Sequence, residues 1–164
     1  PVALRVALLR TLAERPFPPN PRALRAGAWT PQVEQGQAVF ERVCEGCHSA
    51  RLVAQDEASR VPPAEWRSLI TSPSGPIVWA REGYHQTGVL PYVHAQGARA
   101  SSLRRIVEKT PYFTNGSAIS LEQVVGEARF GPSAFWHRAQ TTEQGLMALS
   151  ADQAEALVAF LKLL

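Results

Sequence analysis

Hydrophobic positions along the 164-residue chain recur at helical spacing in three well-separated stretches. Val2 to Arg15 carries apolar residues at 2, 4, 6, 8, 9 and 12 with Arg5, Arg10, Glu14 and Arg15 interspersed, and reads as a helix ending before Pro16. Pro16-Phe17-Pro18-Pro19-Asn20-Pro21 cannot continue a helix and must run extended, as a linker or surface strap. After Trp29 in a short loop, Thr30-Pro31 supplies a capping hydroxyl and a proline at the first helical position. The helix that follows, Gln32 to Val43, places Val33, Gly36, Val39, Phe40 and Val43 on one side and runs into Cys44. The third stretch follows Ser150, which with Gln153 forms a capping box, and its stripe is Ala154, Leu157, Val158, Leu161 and Leu164.

The chain between them is less regular. Ser49 to Arg60 has no periodicity and reads as loop. Pro62 to Ile70 predicts a short helix closed by turns at Pro73 and Pro76. Residues 77–101, punctuated by Gly83, Gly88, Pro91 and Gly97, predict a long ordered loop with room for one short extended pair. Leu103 to Lys109 is at most a short helix, and Pro111 to Gly116 is a turn ending in Asn-Gly. Asn115-Gly116-Ser117 matches a glycosylation acceptor, but the turn explains it adequately. Ser120 and Gln123 form a second capping box, predicting a helix through Phe130 that Gly131-Pro132 stops. No internal repeat is present. The expected class is all-α with long ordered loops.

The first helix of the main body leads into Cys44-Glu45-Gly46-Cys47-His48, the C-x-x-C-H pattern of a c-type haem attachment site. Thiols three positions apart can each form a thioether to one vinyl group of a porphyrin. The adjacent His48 then offers an imidazole nitrogen to the iron. A disulfide, a redox C-x-x-C or half of a zinc site are the alternatives. A zinc site would need a second ligand pair at similar spacing, which is missing, and a thioredoxin-like motif would need a strand before it. The cofactor expected is therefore one covalent haem c, with Cys44 and Cys47 as attachment points and His48 as proximal iron ligand. Residues 77–101, with Tyr84, His85, Tyr92 and His94, are expected to lie over one edge of it.

Composition narrows the setting. Hydrophobic residues make up 45% and charged residues 19%, values of an ordinary folded domain with a sizeable core. The balance of 17 basic to 14 acidic side chains gives +3, without the basic run that nucleic-acid binding would need. That mild bias suits an acidic redox partner. No apolar run approaches the roughly 20 residues of a membrane span. No secretory signal is present, and haem c is attached outside the bacterial cytoplasm, so the chain reads as a processed or excised piece of a periplasmic or otherwise extracytoplasmic protein. Both cysteines serve the haem, which leaves none for a structural disulfide.

A helix ending at C-x-x-C-H together with a capped C-terminal helix resembles the class I cytochrome c plan. In that family the two helices cross at a small residue and an aromatic, a role that Gly36, Phe40 and Phe160 fit. Ser102-Leu103-Arg104-Arg105-Ile106, Thr110 to Ser117 (TPYFTNGS) and Leu121-Glu122-Gln123-Val124-Val125 sharpen the likeness. Together they resemble the C-terminal haem domain of the bacterial dihaem cytochrome c peroxidase and MauG-like family, over about residues 30–164. Thr114 stands where that family usually has histidine, and Ser101-Ser102 replaces Pro-Ser. The resemblance is to the haem that passes electrons, the peroxide chemistry belonging to the other haem. It implies residues 1–21 as an N-terminal helix and Pro-rich linker, the tail of an upstream domain, and 22–164 as a monohaem cytochrome c domain.

A six-coordinate iron passes electrons, whereas an open position binds peroxide or oxygen. In the resembling domains a methionine or tyrosine supplies the sixth ligand, and the methionine position falls at about Ala128 here. Alanine cannot bind iron, and no tyrosine follows Tyr112. His137, in Phe135-Trp136-His137, is the expected distal ligand. Met147 is the alternative, with its own reading as a hydrophobic staple onto the last helix; His85, His94 and an open site come after these. Tyr112 and Trp79 are candidate contacts at the haem edge, and Arg104 and Arg105 candidate partners of the propionates, although core packing and surface solvation explain such residues more often. The function expected is electron transfer to a redox partner protein or an upstream haem domain. A peroxidase or MauG-like enzyme with its catalytic haem upstream, and a ligand-binding haem sensor, are the competing classes.

Overall fold

The structure, a computed structural model, describes residues 1–14, 18–53, 56–72, 77–131, 134–138 and 145–164. Its elements are five helices, α1 (Val2–Glu14), α2 (Pro31–Val43), α3 (Pro63–Thr71), α4 (Leu121–Gly126) and α5 (Ala151–Leu161), and three pairs of two-residue strands. The pairs are antiparallel: β1 (Ala50–Arg51) with β2 (Val78–Trp79), β3 (Tyr84–His85) with β4 (Ala98–Arg99), and β5 (Arg129–Phe130) with β6 (Phe135–Trp136). The class is all-α, with ordered loops tacked together by these minimal ladders.

The centre is the crossing of α2 and α5. Thr30 caps α2, its hydroxyl accepting from the Val33 N–H at 3.3 Å, and Pro31 opens it. Ser150 and Gln153 form the full capping box on α5. The helices meet backbone to backbone, because a Cβ on Gly36 would overlap the Ala156 carbonyl oxygen and lie 2.9 Å from the Phe160 Cβ. Above the crossing, Phe40, Trp66, Trp79 and Phe160 are fully buried. Phe40 meets Trp66 at 5.6 Å, Trp79 at 5.8 Å and Phe160 at 5.3 Å between ring centroids, within the range of favourable aromatic pairs. Trp29 adds an edge contact to Phe160 at 6.2 Å.

Several elements depart from the sequence expectation. The helix after Ser120 ends at Gly126, not Phe130. Arg129 donates to the carbonyls of Gly126 and Ala128 at 2.9 and 2.8 Å, capping the helix end and turning residues 129–130 into β5. Its N-terminal box is also altered: Ser120 accepts from the Gln123 N–H, but the Gln123 side chain reaches Ile119 N–H instead of Ser120. Where the sequence predicts plain loop, residues 50–51 form β1 and Glu57–Ser59 a short 3₁₀ turn. The turns expected at Pro73 and Pro76, and the stop at Pro132, lie outside the described residues.

The Pro-rich strap is docked where it is described. Asn20 is buried and its side-chain amide donates to the Lys162 carbonyl at 3.1 Å, while Arg104 donates to the Pro18 carbonyl at 3.0 Å. By contrast, Val2, Leu4, Val6, Leu8, Leu9 and Leu12 of α1 are each more than half exposed. Among the described residues no helix is long and apolar enough to cross a membrane.

Because the crossing leaves no room for a side chain, Gly36→Ala should lower unfolding free energy by about 2 kcal/mol or more. Denaturant titration followed by circular dichroism measures this, and an unchanged midpoint would remove Gly36 from its role.

Candidate functional site

Helix α2 does not stop cleanly at Val43. Cys44 and Glu45 N–H both donate to the Phe40 carbonyl, and Cys47 and His48 N–H donate to the Cys44 carbonyl at 3.1 and 2.9 Å. The C-x-x-C-H segment is therefore one further tight turn. Burial, reinforced by Cys47, pushes the Cys44 thiol up to about 12, and burial raises Cys47 despite the nearby Arg81. A redox C-x-x-C needs the opposite, a depressed thiol pKa, so the setting suits thiols to be consumed in a covalent bond better than a redox pair.

The turn is braced by charges that sequence reading missed. Glu45 is buried inside the motif, and the Arg60 guanidinium donates to it at 2.8 Å. Arg81 donates to the Gly46 carbonyl at 3.2 Å. Arg51 is buried, bonding Ser49 at 2.8 Å, the Asp56 carbonyl at 3.2 Å and the Glu57 carboxylate. The only signal in the sequence was a carboxylate within a motif bound for burial, which demands a basic partner.

His48 is held by the chain that follows it. Ala50 pairs with Trp79 in the β1–β2 ladder, and this brings the Trp79 carbonyl 3.2 Å from His48 Nδ1. The carbonyl can only accept, so Nδ1 carries the proton and Nε2 keeps its lone pair for a metal. Burial lowers the His48 pKa, partly opposed by backbone bonds to Trp79 and Ser101, and so favours the neutral form that a ligand needs.

Across from it stands His137, 6.2 Å away between ring centroids with the planes at 66°. An imidazole nitrogen binds a transition metal at about 2 Å and lies about 1 Å from its ring centre, so two imidazoles on opposite sides of one ion stand about 6 Å apart. Phe113 at 5.5 Å and Phe135 at 5.0 Å wall His137 in. Burial, with a contribution from His48, pushes its pKa down to about 3, and its Nδ1 is buried without a hydrogen-bond partner. Two thiols on one turn and two neutral imidazoles at an axial separation, one with an orphaned nitrogen, fit a covalently held haem iron.

The other sequence candidates make contacts of their own. Met147 pairs with Phe130 through reciprocal backbone hydrogen bonds of 3.0 and 2.8 Å, and is 56% exposed. His94 is exposed, stacked on Tyr84 at 4.0 Å, and its Nδ1 accepts from the Gln96 N–H. His85 is half-buried with an unpartnered Nε2, close enough for its charge to bear on His48. Ala128 is buried. Trp79 belongs to the aromatic core and Tyr112 is buried against it, its N–H donating to the Ala118 carbonyl at 2.7 Å. Arg104 reaches the strap, and Arg105 pairs with Glu108 at 2.7 Å.

A family model described as Cytochrome c matches residues 33–164, from within α2 through the last residue. Neither the curated proteins nor the solved structures yield a match.

Replacing both Cys44 and Cys47 with alanine should abolish haem staining on a denaturing gel, while either single variant should retain part of it through the other thioether. Equal staining in the double variant would refute covalent attachment at this turn.

Proposed function

The chain belongs to the cytochrome c family, and from that premise we propose that it passes single electrons through one haem c whose iron is held six-coordinate by His48 and His137. Haem-based electron transfer follows from the family; the single haem, the sixth ligand and the setting are the proposal. The observation that carries it is the 6.2 Å separation of the two half-buried imidazoles of His48 and His137. Bound at this turn, haem supplies a one-electron iron couple.

The residues of the chain do the rest. Cys44 and Cys47 anchor the ring, and His48 is aimed by the Trp79 carbonyl so that its Nε2 faces the metal. His137 would supply the second imidazole, within an apolar wall of Phe113 and Phe135 that would limit the access of water and small oxidants to a bound iron. Filled on both sides, such a site changes charge without making or breaking a bond to substrate, so reorganisation stays small. Tyr112 is proposed as a contact at the haem edge from its burial beside Phe113, and Arg104 as a partner of the propionates from its charge.

The finer kinship, with the electron-passing domain of dihaem peroxidases and MauG-like proteins, is part of the same proposal. It draws support from the site itself, since Phe113 of the TPYFTNGS segment packs on His137. On this reading the protein works outside the cytoplasm, and residues 1–21 lead from an upstream domain. Its electrons go to a redox partner protein or to an upstream haem, and in the latter case the whole polypeptide is an enzyme.

The visible and near-infrared spectra test the ligand. The ferric protein should be low-spin, lack the near-infrared charge-transfer band that methionine–iron bonding gives, and ignore cyanide and peroxide, and the reduced protein should bind carbon monoxide only slowly. His137→Ala should become high-spin and bind carbon monoxide when reduced, whereas Met147→Leu should leave the spectrum unchanged. A methionine band lost in Met147→Leu would transfer the assignment to Met147.

A further inference from the structure

His137 follows β6, and a pair of two-residue strands is too short to fix a side chain by itself. Its position is imposed from two other parts of the chain. The Thr87 carbonyl accepts from both the His137 N–H at 3.0 Å and the Arg138 N–H at 3.3 Å. The next residue, Gly88, has φ +77°, and a Cβ there would overlap the Arg138 carbonyl oxygen and lie 2.9 Å from its carbon. On the other flank, Arg138 donates twice to the Glu127 carboxylate, Nε to Oε2 at 2.7 Å and a terminal nitrogen to Oε1 at 3.2 Å. Glu127 also accepts from Gln123 of α4 at 3.3 Å, so the fork is anchored to a helix.

Resting on the reading of His137 as distal ligand, we propose that the Glu127–Arg138 fork and the Thr87–Gly88 turn are a latch that holds His137 on the iron. They are positioning residues. A planar guanidinium gripping a carboxylate at two points fixes direction as well as distance. The Thr87 carbonyl prevents residues 137–138 from swinging away, and only glycine lets residue 88 approach so closely. A side chain so held is ordered in advance, and with haem bound it would compete well against other ligands for the iron. Release of either grip leaves the histidine in the chain but lets the sixth position open.

The test uses the haem-loaded protein. Carbon monoxide association with the reduced form is followed by stopped flow in wild type, Glu127→Gln, Glu127→Asp, Gly88→Ala and His137→Ala. A control, Val33→Ala, weakens the core far from the latch. Glu127→Gln and Gly88→Ala should bind carbon monoxide at least tenfold faster than wild type while keeping a largely low-spin resting spectrum. Glu127→Asp should recover much of the wild-type rate, and Val33→Ala should lose stability without gaining rate. Glu127→Gln alone suffices where Gly88→Ala does not fold. Rates for Glu127→Gln within twofold of wild type, beside a high-spin and reactive His137→Ala, would overturn the latch and leave the ligand assignment standing. A His137→Ala protein that stays low-spin would overturn both.

Discussion

The contact on which the rest depends is the backbone crossing of α2 and α5 at Gly36 and Ala156. Without a side chain at position 36, the helices approach until Phe40 and Phe160 meet, and Trp66 and Trp79 close over them. The last turn of α2 is thereby set against the core at the point where Cys44 begins. The position of the C-x-x-C-H turn therefore follows from helix packing.

Trp79 joins that core to the site. Its indole is part of the buried aromatic cluster, while its carbonyl, placed by pairing with Ala50, accepts a hydrogen bond from His48 Nδ1. The tautomer of His48 is thus tied to packing that ordinary stability already demands. The buried charges of Glu45 and Arg51 are compensated by Arg60 and by the short 3₁₀ turn, so Arg51, Asp56, Glu57 and Arg60 act as a brace.

The distal side is built differently. No long element carries His137; it follows a minimal hairpin tied to α4 through Glu127 and Arg138 and to the 77–101 loop through Thr87. His48 therefore rests on the core and His137 on a few polar contacts.

By itself the sequence determined what short-range chemistry dictates. The caps at Thr30 and Ser150, the stripe of α2 and the C-x-x-C-H turn all depend on residues within a few positions of one another. So does the all-α class. The end of α4 at Gly126 was hidden, because Arg129 folds back on carbonyls that a simple periodicity continues through. The brace around Glu45, the tautomer of His48 and the distance between His48 and His137 were equally out of reach. Each joins residues from 15 to 89 positions apart, and only the packed chain brings such groups within the few ångströms where hydrogen bonds and metal ligation act.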